Sequence, residues 1–193
     1  MSAAQLALER RQLPGDLAMW FFILAELAVF ALLFLGLMVT RVRLPELFAE
    51  GQPLLHPWAG TVNTLALLTG SLFVARGVDA AARGAVTAAR WALAAGIACG
   101  AVYLAVKGWE YAGLIGAGYN LRTDTFWMFY FFATFFHLMH VVLGMVILAV
   151  AMAHCARVAG DPQQRSGIES AGSYWHMVDL VWLVLFPLFY VLP

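Results

Sequence analysis

Long apolar segments alternate with short polar segments along this chain. Five of the apolar segments are long enough to form spanning helices, and they cover about residues 17–40, 58–75, 91–111, 125–154 and 174–192. A helix needs about 20 mostly apolar residues to cross the ~30 Å hydrocarbon core of a bilayer. Proline, glycine and charged residues collect in the segments between them, as they do at helix ends. The pattern predicts an all-α fold, an integral membrane bundle of five transmembrane helices in a single domain over residues 1–193.

The composition supports a membrane environment. Hydrophobic residues make up 63% of the chain and charged residues 11%, whereas soluble domains average about half and a quarter. The mean hydropathy is +0.83. A formal net charge of zero gives no electrostatic reason to expect a nucleic acid partner. The two cysteines, Cys99 and Cys155, lack metal-ligand spacing, so we expect them to pack as small reduced side chains.

The distribution of lysine and arginine predicts the orientation in the membrane. With the amino terminus in the cytoplasm, seven of these residues fall in inner segments: Arg10, Arg11, Arg76, Arg83, Arg90, Arg157 and Arg165. Four fall in outer segments: Arg41, Arg43, Lys107 and Arg122. Because cytoplasmic loops carry an excess of positive charge and the number of spans is odd, we expect a cytoplasmic amino terminus and an outside carboxyl terminus.

Six tryptophans lie close to the ends of the predicted helices: Trp20, Trp58, Trp91, Trp109, Trp127 and Trp175. Tryptophan is enriched at membrane–water interfaces, where its ring is apolar and its N–H can meet water. We therefore expect an interfacial belt, and we expect Trp20 and Trp175 to contact lipid or a partner protein.

Glu26 lies in the middle of the first predicted helix, in the stretch FILAELAVF. A charged group at the bilayer centre costs about 2.5–3.5 kcal/mol on insertion scales, so such residues usually face the protein interior. One interpretation is a neutral glutamic acid that hydrogen-bonds to a neighbouring helix. The other is a functional carboxylate, linked to proton movement or organising an internal water or lipid site.

Glu110 lies near the outer end of the third predicted helix, in the stretch LAVKGWEY, one turn after Lys107. Residues three apart on a helix are neighbours, so the two side chains can form an ion pair. We favour an ordinary surface pair at the membrane interface, which would contribute little to stability.

Two histidines lie on one face of the fourth predicted helix, and a histidine and an aspartate lie on one face of the fifth. His137 and His140 could ligate a metal or haem iron, but hydrogen bonds between helices are the favoured interpretation. His176 and Asp179, expected near the inner end of their helix, could share a proton or polarise each other. A purely structural role is equally compatible with that pair.

The stretch GIACG in the third predicted helix has two glycines four residues apart, Gly96 and Gly100. This small-xxx-small spacing lets two helices approach closely. The pattern predicts tight helix packing and carries no chemistry.

No motif for nucleotide binding, nucleophilic catalysis or dense His/Cys metal ligation is present in the sequence. We therefore expect no catalytic residue, no metal ligand and no catalytic site of the chain's own, and we expect any enzymatic role to be that of a component of a larger oxidoreductase complex.

Five stretches occur in an order that resembles one membrane protein family: FILAELAVF, HPWAGTVNTLALLTGS, KGWEY, FFATFFHLMHVVLGM and ESAGSYWHMVDLVWLVLFPLFY. The order resembles that of subunit III of the haem-copper oxidase superfamily, the cytochrome c oxidase subunit III family. The resemblance covers nearly the whole chain, from about residue 13 to residue 193. Five helices correspond to the short form of the family. The compact amino terminus, RRQLPGDLAMWFFILAE, looks most like the subunit III-like protein associated with bacterial nitric oxide reductases.

The resemblance implies an accessory membrane subunit of a respiratory complex, in the bacterial inner (cytoplasmic) membrane, associated with nitric oxide reductase or else a terminal oxidase. It implies no cofactor in this chain. Haem, with copper or non-haem iron, would belong to the partner catalytic subunit, and phospholipid would bind in a cleft between helices. Glu26 matches the family's buried carboxylate, and five further residues match positions in the other motifs: Glu110, His137, His140, His176 and Asp179.

Four phenylalanines of the fourth predicted helix are expected to contact lipid acyl chains or the partner subunit: Phe129, Phe132, Phe135 and Phe136. Ordinary lipid-facing surface is an equally good interpretation of these side chains. For Glu26 we expect a hydrogen bond to a polar group on the fourth or fifth predicted helix.

Two alternatives belong to other functional classes. One is a redox protein that binds haem through histidines: His137, His140 or His176. The other is a small transporter or proton channel built around Glu26 and the His176/Asp179 pair. The inverted repeats and broken helices of many transporters are not apparent in the sequence, which makes the transporter the weakest of the three hypotheses.

Overall fold

The computed structural model describes residues 16–155 and 162–192. These residues form six α-helices and no strands: α1 (Leu17–Arg43), α2 (Pro45–Gly51), α3 (Pro57–Ala82), α4 (Val86–Gly116), α5 (Thr125–His154) and α6 (Pro162–Tyr190). All except the short α2 are long and apolar enough to cross a membrane, α6 over Ser166–Tyr190. The prediction of an all-α chain with five spanning helices is therefore confirmed. Arg10, Arg11 and Arg157, and the side chain of Arg165, lie outside the described residues.

Local sequence sets where several of the helices begin. Asp16 and Asp124 cap α1 and α5, since their carboxylates accept hydrogen bonds from the backbone N–H groups of Ala18 (3.3 Å) and Trp127 (3.0 Å). The helices α2, α3 and α6 begin at a proline, whose fixed φ suits the first helical position.

The segment 76–90, which we expected to be a polar hairpin, belongs almost entirely to α3 and α4. The prediction failed because alanine, which dominates this segment, is the strongest helix former and arginine is also a good one. The turn is confined to a few residues around Gly84, which adopts φ +74°, a conformation that favours glycine.

The last helix, predicted from residue 174, begins at Pro162. The segment 162–173 was expected to be a polar loop, yet its small residues give it a face that packs against other helices. Ser170 and Ala171 are buried, and a Cβ added at Gly172 would lie 2.9 Å from Val78 of α3. His176 and Asp179 consequently lie near the middle of α6 rather than near its inner end.

The helices α3, α4, α5 and α6 form a ring in which each packs against two neighbours, so that α4 and α6 lie diagonally opposite. The helix α1 lies along the groove between α5 and α6. Rings of Phe30 and Phe136 are 5.0 Å apart on the α5 side, and the Arg41 guanidinium donates to the Leu188 carbonyl of α6 (3.0 Å). The α1 helix is the least buried of the spanning helices.

Trp175 of α6 fills the centre of the ring, with only 1% of its surface exposed. Glycines of three other helices make room for its indole. A Cβ would lie 3.4 Å from the indole at Gly70, 3.0 Å at Gly100 and 3.2 Å at Gly144. The expectation that Trp175 contacts lipid or a partner is wrong, because three small residues in neighbouring helices create an internal site for a large ring.

The close packing predicted from the glycine spacing is confirmed. A Cβ at Gly96 would lie 2.7 Å from Val74 of α3, and a Cβ at Gly100 would lie 2.9 Å from the Met145 sulfur of α5. Helix α4 therefore approaches two neighbours through one glycine each. Cys99 and Cys155 are both free thiols, as expected.

The tryptophans expected at the interface differ in how far they are buried. Trp58, Trp91 and Trp109 are exposed at helix ends, and the rings of Trp58 and Trp109 lie 5.0 Å apart. Trp127 is buried, stacked on Tyr119 at 4.4 Å between centroids. Trp20 is half-buried near the start of α1.

Candidate functional site

Lys107 and Glu110 form an ion pair inside the helix bundle. The two side chains are 0% exposed, and Nζ of Lys107 lies 2.8 Å from Oε2 of Glu110. The expected pair exists, but its assignment to the surface is wrong. Both residues lie on the face of α4 that points into the ring, and aromatic side chains of α5 and α6 close over them.

Two tyrosines complete the hydrogen bonding of Lys107. Nζ donates to the hydroxyls of Tyr130 (3.0 Å) and Tyr190 (2.7 Å) as well as to Glu110, so all three of its donors have acceptors. The Tyr190 hydroxyl in turn donates to Glu110 Oε2 (2.8 Å). The ammonium also lies 4.7 Å from the centroid of the Tyr130 ring and 5.6 Å from that of Trp182, which adds cation–π attraction.

His137 is fully buried and connects three helices. One ring nitrogen, Nε2, lies 3.1 Å from the Val178 carbonyl of α6, and Nδ1 lies 3.0 Å from the Tyr103 hydroxyl of α4. A carbonyl can only accept, so Nε2 carries a proton and, in the neutral ring, Nδ1 accepts from Tyr103. The favoured interpretation, hydrogen bonding between helices, describes this geometry.

Glu26 contacts His140 in the groove between α1 and α5. Its Oε2 lies 3.0 Å from Nε2 of His140, while Nδ1 of the same ring donates to the Phe136 carbonyl (2.8 Å). Because Nδ1 already carries a proton, the contact to Glu26 holds one proton, either on the acid or on the imidazole. The glutamate side chain is 21% exposed and the histidine 9%, so this pair borders the lipid-facing groove.

His176 and Asp179 meet through a residue of another helix. The Ser71 hydroxyl of α3 lies 2.9 Å from Nδ1 of His176 and donates to Oδ2 of Asp179. The direct His–Asp interaction expected from the sequence is therefore replaced by a serine bridge. Asp179 is 5% exposed, whereas His176 is exposed.

The four phenylalanines of α5 face in two directions. Phe132 and Phe135 are exposed, at 55% and 54%. Phe129 and Phe136 are half-buried against α1, Phe129 within 3.8 Å of the Cβ position of Gly36. The first two are free to contact lipid or a partner, and the other two hold α1 in place.

Several polar residues within the bundle were missed by reasoning from sequence alone: Asn63, Ser71, Tyr103, Tyr130 and Tyr190. Asn63 is 0% exposed, and neither atom of its amide has a partner among the described residues. The signal that could have found them is the presence of a polar atom within an apolar span, which applies to Asn, Ser and Tyr as well as to ionisable residues.

The hydrogen bonds of His137 and His140 argue against haem binding by these two residues. Both ring nitrogens of His137 and both of His140 are already engaged in hydrogen bonds within the protein, so neither ring has a nitrogen free for iron. Within residues 16–155 and 162–192, no group of three His, Cys, Asp or Glu side chains is placed to hold a metal ion.

Comparison with known proteins identifies the family to which this chain belongs. The family model "Cytochrome c oxidase subunit III" matches residues 15–192. The chain belongs to the cytochrome c oxidase subunit III family. It is 32% identical over 176 residues to cytochrome c oxidase subunit 3 of Thermostichus vulcanus, covering 89% of this chain and 84% of the relative. It is 33% identical to that of Synechocystis sp., covering 89% and 72%.

A third relative of this subunit III chain is longer. The "Heme-copper oxidase subunit I+III" of Aeropyrum pernix is 28% identical over 182 residues, which cover 90% of this chain and 22% of the relative. The family resemblance expected from the five motifs is confirmed.

Proposed function

We propose that this chain is a non-catalytic accessory subunit of a respiratory terminal oxidase, in which it binds the haem-containing catalytic subunit and stabilises it. The observation that carries the proposal is the match of residues 15–192 to the subunit III family. The Aeropyrum pernix relative supports it, since its name joins a subunit I and a subunit III in one protein. In such a chain the two parts stay together, as the subunits of a complex would.

The geometry of the polar clusters agrees with a structural role. Lys107 and His137 have all of their side-chain nitrogens engaged with groups of the same chain. A group that reacts with a substrate needs access to it, whereas these groups join α4, α5 and α6. Buried polar networks that are largely satisfied make a bundle rigid and specify its packing.

The terminal oxidase is favoured over a nitric oxide reductase as the parent complex because the relatives described above carry oxidase names. They give no support to the nitric oxide reductase-associated subtype expected from the amino-terminal segment. Haem and copper would belong to the catalytic partner.

Phospholipid is the small-molecule ligand that we propose for the chain itself. A cavity of about 490 Å³ between α5 and α6 is lined by aliphatic side chains such as Val146, Ile147 and Val150, with His154 also in its wall. A second cavity, of about 570 Å³, shares Gly167 with it and is lined by the polar Asp16, Ser166 and Ser170 together with apolar side chains such as Met19 and Phe22. An apolar cavity that adjoins one with polar groups in its wall matches an acyl chain and its headgroup.

For the orientation we propose a cytoplasmic amino terminus and location in a bacterial inner membrane. Arg83 and Arg90 flank the α3–α4 turn, and Arg43 and Arg122 lie at the other end of the bundle. Lys107, counted above among the outer positive residues, is buried within α4, so it no longer contributes to the count. The remaining positive residues favour the α3–α4 end as the cytoplasmic side.

Purification of the tagged full-length chain from its native membrane in a mild detergent tests the proposed function. We expect a haem spectrum and a haem-containing catalytic subunit in stoichiometric amount, identified by mass spectrometry. A colourless chain without such a subunit would contradict the proposal. A haem spectrum from the chain alone would instead support the redox alternative.

A further inference from the structure

The outer face of α6 between α3 and α1 carries a polar group at a depth where lipid offers it no partner. His176 is exposed on this face, ten residues from Ser166 and fourteen from Tyr190, the ends of the span. At 1.5 Å per residue these separations are about 15 and 21 Å, which places the imidazole near the middle of the hydrocarbon. Ionisable residues at that depth almost always face protein or a water-filled cavity.

The other ionisable side chains near mid-depth are turned away from lipid. His137 is fully buried, His140 is 8% exposed and Asp179 is 5% exposed. Glu26 is half-buried against His140. Among the residues that the structure describes, His176 is thus the only ionisable side chain that is exposed in the central part of the spanning helices.

The atom that a docking partner could reach at this site is a hydrogen-bond acceptor. The single hydroxyl proton of Ser71 goes to Oδ2 of Asp179, so Nδ1 of His176 donates to the serine oxygen. In the neutral imidazole, Nε2 is then an acceptor, and the described residues offer it no hydrogen bond. Oδ1 of Asp179 also has no partner among the described residues, but it is buried, so a docking partner cannot reach it.

The surface around the His176 acceptor is aliphatic. Leu180 and Leu183 continue the face of His176 along α6, and Leu68 and Leu72 flank Ser71 on α3, all four exposed. We call these leucines, together with Ser71, His176 and Asp179, the α3/α6 face. An aliphatic surface with one central acceptor fits a transmembrane helix that carries a hydrogen-bond donor.

We infer that the α3/α6 face is the surface on which the catalytic subunit docks, through a transmembrane helix whose donor side chain meets His176. The inference rests on the proposed function, which supplies the identity of the partner. It adds the location of the contact and the chemistry that the partner helix must present.

Site-specific photocrosslinking in the intact complex tests the location. The photoreactive residue p-benzoylphenylalanine replaces Leu180, which is 55% exposed one turn from His176. The matched control replaces Val102, which is 47% exposed at similar depth on α4, diagonally opposite α6. We expect irradiation to join the Leu180 variant, and not the Val102 variant, to the haem-containing subunit.

The other outcomes overturn the inference in distinguishable ways. If the haem-containing subunit copurifies but the Leu180 variant crosslinks only to lipid, only to a second copy of this chain, or to nothing, the docking face is wrong and the proposed function stands. If no haem-containing subunit copurifies with the unmodified chain, the proposed function fails and the inference fails with it.

Substitution of His176 tests whether its acceptor binds the partner helix. Because His176 is exposed, we expect its variants to fold. We expect His176→Leu to lower the amount of copurified catalytic subunit by about 3- to 15-fold, the range for one hydrogen bond between membrane helices. His176→Gln keeps an acceptor and should retain most of the partner. Equal retention by the two variants would show that the acceptor is not used.

Discussion

The buried ion pair of Lys107 and Glu110 yields a prediction whose size follows from the geometry. Both side chains are 0% exposed, and the ammonium makes hydrogen bonds of 2.8, 3.0 and 2.7 Å to Glu110, Tyr130 and Tyr190. Removing one member of a buried pair leaves the other charge without compensation, at a cost of about 3–5 kcal/mol. We expect Lys107→Met and Glu110→Gln each to lower the free energy of unfolding by that amount.

The double variant Lys107→Met/Glu110→Gln distinguishes charge pairing from loss of packing. It removes both charges, so we expect it to be more stable than either single variant by about 3–5 kcal/mol, since a buried pair replaced by uncharged groups is often close to neutral. The assay is unfolding of the purified full-length chain in mixed micelles, with SDS as denaturant and helix content followed by circular dichroism.

An exposed pair at the end of α3 supplies the matched control. Arg83 and Asp79 are also one turn apart and in contact, but their side chains are 63% and 62% exposed. Arg83→Met should therefore cost about 1 kcal/mol or less. If Lys107→Met costs no more than Arg83→Met, or if the double variant is as unstable as the sum of the two single variants, the reasoning about desolvated charges is refuted.

Three further predictions concern assembly and packing. Glu26→Ala should weaken copurification of the catalytic subunit more than Glu26→Gln, because only glutamine can still hydrogen-bond to the facing imidazole; unimpaired assembly in both variants would contradict this. Gly100→Ala should lower the free energy of unfolding by about 1–3 kcal/mol, because the added methyl group would overlap with Trp175. As a control, a Cβ added at Gly113 meets no atom within 4 Å, so Gly113→Ala should raise the free energy of unfolding by up to about 1 kcal/mol. Arg41→Lys should lower the thermal unfolding midpoint because one ammonium does not reproduce the guanidinium fork that binds carbonyls of the α6 end; an unchanged midpoint would show that the fork is dispensable.

The sequence predicted the parts of the fold that depend on hydropathy along the chain. The number of spanning helices and the bounds of α5 follow from runs of apolar residues, and the order of the motifs led to the family. Helix lengths were underestimated where alanine and small polar residues extend α3, α4 and α6. These extensions are polar enough to be predicted as loops, yet they form helices because their small side chains pack well.

The sequence also identified most of the ionisable residues that form the polar clusters, but it did not identify their partners. Glu26 was expected to bond to another helix, and it meets His140. The pairing of His176 with Asp179 requires Ser71, which lies more than a hundred residues away along the chain. Contacts of that kind depend on which helices are neighbours in the ring.

Burial of each helix face was decided by the tertiary structure alone. In a soluble protein, the polar face of a helix shows which side meets solvent. Lipid tails are as apolar as a protein core, so a membrane helix can be apolar on the faces that meet lipid and on those that meet other helices. Lys107 and Trp175 therefore looked like interfacial residues in the sequence, and only the arrangement of α3–α6 places them at the centre of the bundle.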